Sequence, residues 1–173
     1  MSGKYVFAAI AAGGLASSAF GGAFFDNLTD GLLDPFFNYD FQGPNDFSAA
    51  GDSNGHTAQG LWVYPDEVII TFPGLPAGEI VELAYIEIAD YVGVGALEVE
   101  FIGTLGSVQF SNLLTSTIES YQVDPSDGIG SITSIKVGGF EDVINYVSVR
   151  TIPAPAGPAI LAMSGLVAIR RRR

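Results

Sequence analysis

Cysteine is absent from the 173 residues, which excludes a disulfide framework, a CxxC redox pair and any thiolate metal site. Histidine occurs once, at His56, so a histidine-rich zinc site is excluded by count. Tryptophan also occurs once, at Trp62. Positive charge is scarce: seven Lys and Arg stand against nineteen Asp and Glu. Charged residues of either sign reach only 15% against 48% hydrophobic, too apolar a balance for a disordered chain. The few bases are unevenly placed. All nineteen acids lie in residues 24–152, and only Lys136 and Arg150 accompany them, so that body carries −17. Such a surface repels phosphate backbones and argues against nucleic acid as a partner. No phosphate-binding loop is present either, since Gly93-x-Gly95 lacks a third glycine and a following helix.

The ends of the sequence differ from the body. Lys4 precedes an apolar run over residues 5–16, and small residues follow, from Ser17 through Ala23 with only Phe20 intervening. A positive start, a short apolar stretch and a small-residue zone are the layout of a secretory signal peptide. Twelve helical residues would span about 18 Å, well short of a hydrocarbon core of about 30 Å. The pattern predicts a signal helix in residues 1–23, cleaved after Ala19 or Ala23. The last residues read Pro153-Ala154-Pro155-Ala156-Gly157-Pro158, then an uncharged apolar run over 159–169, then Arg170, Arg171, Arg172 and Arg173. Three prolines stop any preceding strand. The arginines would stay on the cytoplasmic side, and snorkelling with local thinning would help so short a hydrophobic helix to span.

This tail, PAPAGPAILAMSGLVAIRRRR, resembles the PEP-CTERM protein-sorting signal of bacterial envelope proteins, which joins a short proline motif, one hydrophobic helix and a terminal Arg cluster. The usual Glu of the motif is Ala154 here, similar to variants in planctomycete-type proteins. The resemblance implies a sorting motif at Pro153, Ala154 and Pro155 with Arg170–Arg173. It also implies a partner, an exosortase-like membrane protease or transpeptidase that processes the tail. The segment Glu141-Asp142-Val143-Ile144-Asn145-Tyr146-Val147-Ser148-Val149 is similar to the last strand of many such proteins, whose bodies are jelly-roll, galactose-binding-like or lectin-like domains. An ordinary tail anchor is the plainer reading of the same residues.

Residues 24–152 read as one all-β domain, a single antiparallel β-sandwich of jelly-roll or galactose-binding-like kind. A loop and first strand are expected in the aromatic stretch 24–47. Further strands are predicted over 61–64, 68–72, 80–91, 97–102, 107–110, 120–123, 132–137 and 143–151, with Gly-, Pro-, Asn- and Asp-rich turns between them. Leu97, Val99 and Phe101 alternate with Glu98 and Glu100, the period-two pattern of a half-buried strand. Val143, Asn145, Val147 and Val149 are expected opposite Ile144, Tyr146, Ser148 and Arg150. In residues 80–91 the parity slips near Ala84, which predicts a bulge or a bend.

Each candidate site has a plain structural alternative. Calcium prefers six to eight oxygen ligands; Asp46, Asp52 and Asn54 with Glu141 or Asp142 offer a discontinuous set, and a solvated turn explains the same residues. His56 with Ser53 and Asp52 supplies the letters of a catalytic triad, but three residues within one short loop do not reach its geometry. Glu98 and Glu100 stand about 7 Å apart on one strand face, a spacing glycosidases use and also the ordinary polar half of an alternation. Trp62 and Tyr64, with Tyr39, Tyr91 and Tyr121, offer a sugar-stacking platform, whereas strand aromatics mostly fill cores. The sequence thus predicts an exported, non-enzymatic surface or extracellular-matrix protein that binds exopolysaccharide or divalent cations. Its rivals are a self-assembling structural envelope protein and a small polysaccharide-active enzyme.

Overall fold

The computed structural model describes residues 21–43, 47–48, 60–63, 67–90, 97–112, 118–139 and 142–155. The apolar part of the predicted signal segment and the tail from residue 156 onward lie outside them. Among the described residues the regular structure is eleven strands and two single 3-10 turns. The strands are β1 (Ala23–Asp26), β2 (Asn38–Phe41), β3 (Phe47–Ser48), β4 (Gly60–Val63), β5 (Glu67–Thr71), β6 (Glu79–Asp90), β7 (Leu97–Gly103), β8 (Ser107–Asn112), β9 (Ile118–Val123), β10 (Ile132–Gly138) and β11 (Asp142–Pro153). The expected all-β class is therefore the observed one, and each of the eight predicted runs from residue 61 onward falls on a strand.

Every ladder is antiparallel, and the hydrogen-bonded sheet curls into a sandwich-like body. One layer runs β2-β5-β10-β7-β8. The other runs β9-β6-β11, with β4 and β1 sharing the far edge of β11 and β3 outside β4. A single rung, Ile132 against Val81, joins β10 to β6 where the sheet turns from one layer to the other. Period-two alternation explains the core. Val68 and Ile70, Val99 and Phe101, Ile86 and Ile88, and Val147 and Val149 point inward and are buried in one cluster. Phe24, Phe36, Phe37 and Phe72 close one side of that cluster, with Phe24 stacked on Phe36 at 4.1 Å.

The long partners β6 and β11 each carry a bulge. Leu83 opposes Arg150 and Val81 opposes Thr151, which leaves Glu82 as the extra residue on β6. Burial accordingly passes from odd Val81 to even Ala84, Ile86 and Ile88, the slip expected near Ala84. On β11, Ile144 opposes Ile88 and Tyr146 opposes Glu87, so Asn145 is the extra residue. This bulge corrects the expected faces of the last strand. Ile144 turns inward with Val147 and Val149 and does not share a face with Tyr146. A one-residue insertion inverts side-chain parity beyond it, and simple alternation cannot register that inversion.

Candidate functional site

On the outward face of the β6–β11 layer the exposed Phe25 gathers with the half-buried Tyr85 and Tyr146. On β11 the residues after the bulge alternate, so Tyr146 and Ser148 face out while Val147 and Val149 face in. Tyr85 and Glu87 face out from β6 by the same rule, opposite Ser148 and Tyr146 respectively. Phe25 of β1 opposes Ser148 from the other side. The Phe25 ring, 59% exposed, stacks on Tyr146 with centroids 6.0 Å apart and planes at 21°. Tyr146 then meets Tyr85 edge-on at 5.9 Å and 68°. Three rings thus form a strip across three adjacent strands, about 10 Å wide from the usual strand spacing.

Beside the strip lies an open cavity of about 370 Å³ lined by Asn27, Thr29, Tyr85, Glu87, Asn145 and Tyr146. The first 3-10 turn (Leu28–Asp30) supplies one wall, where the Thr29 hydroxyl donates to Asn27 Oδ1 at 2.6 Å. Tyr85 Oη donates to Glu87 Oε2 at 3.4 Å and holds the carboxylate at the rim. Asn145 is 5% exposed, and its Oδ1 is buried from solvent with no hydrogen-bond partner among the described residues. An unsatisfied buried acceptor costs about 1–3 kcal/mol. Bulges are enriched where a strand re-aims a side chain for function, and here one places Asn145 among the residues that line the cavity. A second open cavity of about 250 Å³ adjoins it through Asn27, with Phe25, Leu32, Leu33 and Pro35 in its walls.

Of the sequence-predicted platform, Tyr39, Trp62 and Tyr121 are described. Tyr39 is buried with Phe37 in the core, and burial, then its hydrogen bond to Asp26, pushes its phenol far above the ordinary range. Tyr121 packs on Phe110 at 5.2 Å and donates to Glu119 at 2.6 Å. Trp62 is half-buried and opposes Val143 on β4, and it is not among the residues that line the Asn145 cavity. Tyr64 and Tyr91 lie outside the described residues, as do Asp46, Asp52, Asn54, His56 and Glu141. Of the predicted calcium ligands only Asp142 is described. It is 3% exposed, and its carboxylate occupies the space a side chain on Gly139 would need, with Oδ2 1.9 Å from an ideal Cβ there. Among the described residues no three His, Asp or Glu side chains gather as a metal site.

Glu98 and Glu100 lie on the outer face of the opposite layer, across from Gly138 and Lys136. Lys136 Nζ sits 2.7 Å from Glu67 Oε1. That hydrogen bond, with smaller contributions from Glu100 and Glu98, raises the lysine pKa. The depression among these groups holds about 30 Å³, room for one or two waters. The proline segment expected to be a sorting motif is partly described: Pro153 ends β11 opposite Glu79, the Ala154 N–H donates to the Gly78 carbonyl at 2.7 Å, and Pro155 is exposed. Arg170–Arg173 lie outside the described residues.

Tyr85, Tyr146 and Asn145 escaped sequence reasoning. Their signal was available in part, because Tyr85 and Tyr146 each occupy a polar-face position of a predicted strand. What the sequence lacked was the pairing that sets those two positions side by side.

No protein-family model matches this chain, and no curated protein does. Among solved structures the fold is similar to a family two carbohydrate esterase from Cellvibrio japonicus, at TM-score 0.42 and 9% identity. That alignment covers 79% of this chain and 37% of the other, so this chain spans well under half of that protein's length.

Proposed function

We propose that this chain is an exported, non-enzymatic surface or matrix protein whose β-sandwich binds exopolysaccharide through the Tyr146 face. One observation carries the reading: an unburied strip of three aromatic rings borders a cavity lined by carboxylate, amide and hydroxyl groups. Pyranose rings offer apolar C–H faces to stack on aromatic rings and hydroxyls to pair with such polar groups. Concave sites with an aromatic wall and a few converging polar atoms are the usual form of small-ligand sites. Export and retention rest on the sequence alone, through the signal-like start, the proline motif and the four terminal arginines. An exosortase-like enzyme would act on the tail just beyond β11.

The test is binding of the purified protein to the extracellular polysaccharide of the producing cell, with calcium and again with chelator. Saturable binding is expected, weakened about tenfold or more by Tyr146→Ala. Equal binding by wild type and variant, or none by either, would refute the reading. Loss of binding on chelation would add a divalent ion to the site.

A second reading has its own observation. Phe25, Leu32 and Leu33 are 59%, 71% and 48% exposed around the adjoining cavity, a surface suited to self-assembly into an envelope layer. Sedimentation that depends on concentration would favour it.

A further inference from the structure

We infer that the Tyr146 face selects hydroxyl-rich, uncharged polysaccharide and rejects uronic-acid chains, with Glu87 as the residue that enforces the choice. The inference rests on the glycan-binding reading above and names its substrate class.

Hydrogen-bond polarity is the first ground. The Glu87 carboxylate in the lining is acceptor-only when ionised, and the Tyr85 hydroxyl reaches it only at 3.4 Å. A ligand group laid against it must donate. A sugar hydroxyl does so; a uronate carboxylate does not.

Charge on the same carboxylate is the second ground. Glu87 is the sole charged side chain among the six that line the cavity. The two cationic side chains among the described residues are both engaged. Lys136 belongs to the opposite layer and pairs with Glu67 at 2.7 Å. Arg150 does lie on the outer face of β11, but its Nε sits 2.7 Å from Glu82 Oε1. An anionic polymer laid along the ring strip would meet Glu87 with no free cation to offset it. Like-charge juxtaposition at a binding surface is strongly disfavoured, and a penalty of about tenfold or more in affinity is expected for each uronate unit brought there.

The experiment measures affinity of the full chain for two sets of soluble polymers, in chelator and at low and physiological salt. The neutral set is dextran, soluble starch and mannan; the uronate set is polygalacturonate and alginate. Wild type is compared with Glu87→Gln, and with Glu98→Gln as a control that removes the same charge from the opposite layer. Circular dichroism checks that each variant is folded. The expected result is saturable binding to a neutral polymer. The uronate-to-neutral affinity ratio should rise about tenfold in Glu87→Gln and stay unchanged in Glu98→Gln. Neutral binding with no rise in that ratio would overturn the selection rule and leave the glycan reading standing. A wild-type preference for the uronate set would do the same. Absence of binding to both sets would overturn the glycan reading and this inference with it.

Discussion

Tyr39 carries its hydroxyl into the core and donates to Asp26 Oδ2 at 2.7 Å, and the same oxygen accepts from the Asp34 N–H at 2.9 Å. Asp26 is 3% exposed, so these bonds compensate a carboxylate removed from water. Burial of Tyr39, then its bond to Asp26, raises its pKa far above the ordinary 10.0. The sign follows: the folded state favours the neutral phenol, so its contribution is full below the unfolded value and erodes as pH rises beyond about 10. Thermal denaturation between pH 9 and 11.5 should therefore show melting temperature falling steeply above pH 10. Tyr39→Phe should flatten that slope while costing about 1–3 kcal/mol at neutral pH through the lost hydrogen bond. A variant slope equal to the wild-type slope would refute the assignment. The sequence offers Tyr39 both as a platform ring and as a core residue, because a tyrosine in a strand serves either role. Its buried partner Asp26, thirteen positions earlier, decides the matter, and no local pattern links the two.

At the scale of elements, β1 and β11 show how a strand depends on what it pairs with. Ala23 opposes Arg150, and just before it the Gly22 N–H donates to Thr151 Oγ1 at 2.7 Å. The Thr151 N–H in turn donates to the Gly22 carbonyl at 2.8 Å, and the Thr151 hydroxyl also donates to Glu79. Gly21 lies so close to β11 that an added Cβ would fall 1.5 Å from the Thr151 carbonyl oxygen. Signal cleavage after Ala23 would remove these bonds and the Ala23 rung; cleavage after Ala19 would keep them. If the chain is exported through this signal, the processed protein should therefore begin at Phe20, as intact mass or N-terminal sequencing would report. A start at Phe24 would refute this. The two possible cleavage points were equally open from small-residue spacing, because that spacing addresses the processing enzyme and says nothing of the sheet. The bulge at Asn145 was hidden for a related reason: an inserted residue is defined against the opposite strand, and β6 lies far away in the sequence.

For the molecule as a whole, the two described ends of the chain meet along β11. Gly22 binds Thr151, and the Ala154 N–H reaches back to Gly78. The tail therefore leaves the sandwich beside the N-terminal strand. Asn145 and Tyr146 sit toward the opposite end of β11, eight and seven residues from Pro153, about 25 Å along an extended strand. A body tethered by its tail would hold the ring strip away from the membrane. In a cell that exports the chain, truncation after Ile152 is expected to release the body into the medium with its fold intact, since among the described residues the backbone bonds lost are the Pro153 rung and the Ala154 hydrogen bond. Cell fractionation with circular dichroism checks this, and retention in the envelope at wild-type levels would refute tail anchoring. Among the described residues no helix is long and apolar enough to cross a membrane; the apolar end segments are not among them.

Over residues 23–48, where one strand is expected, the sheet holds β1, β2 and β3; for the other eight strands, alternating apolar residues and turn-forming Gly, Pro, Asn and Asp determined the inventory from the sequence alone. Both are local signals, read within a few residues of each other. Charge distribution likewise needs no fold: a body at −17 is acidic however it is arranged. Tertiary structure decided which polar positions became a site. Period two says whether a side chain faces in or out, and it is silent about which distant strand lies alongside. Pairing β6 with β11 set Tyr85 and Glu87 against Tyr146, β1 added Phe25, and the bulge put Asn145 in the lining of the cavity beside them. These are long-range contacts between segments whose own sequences carry no record of one another.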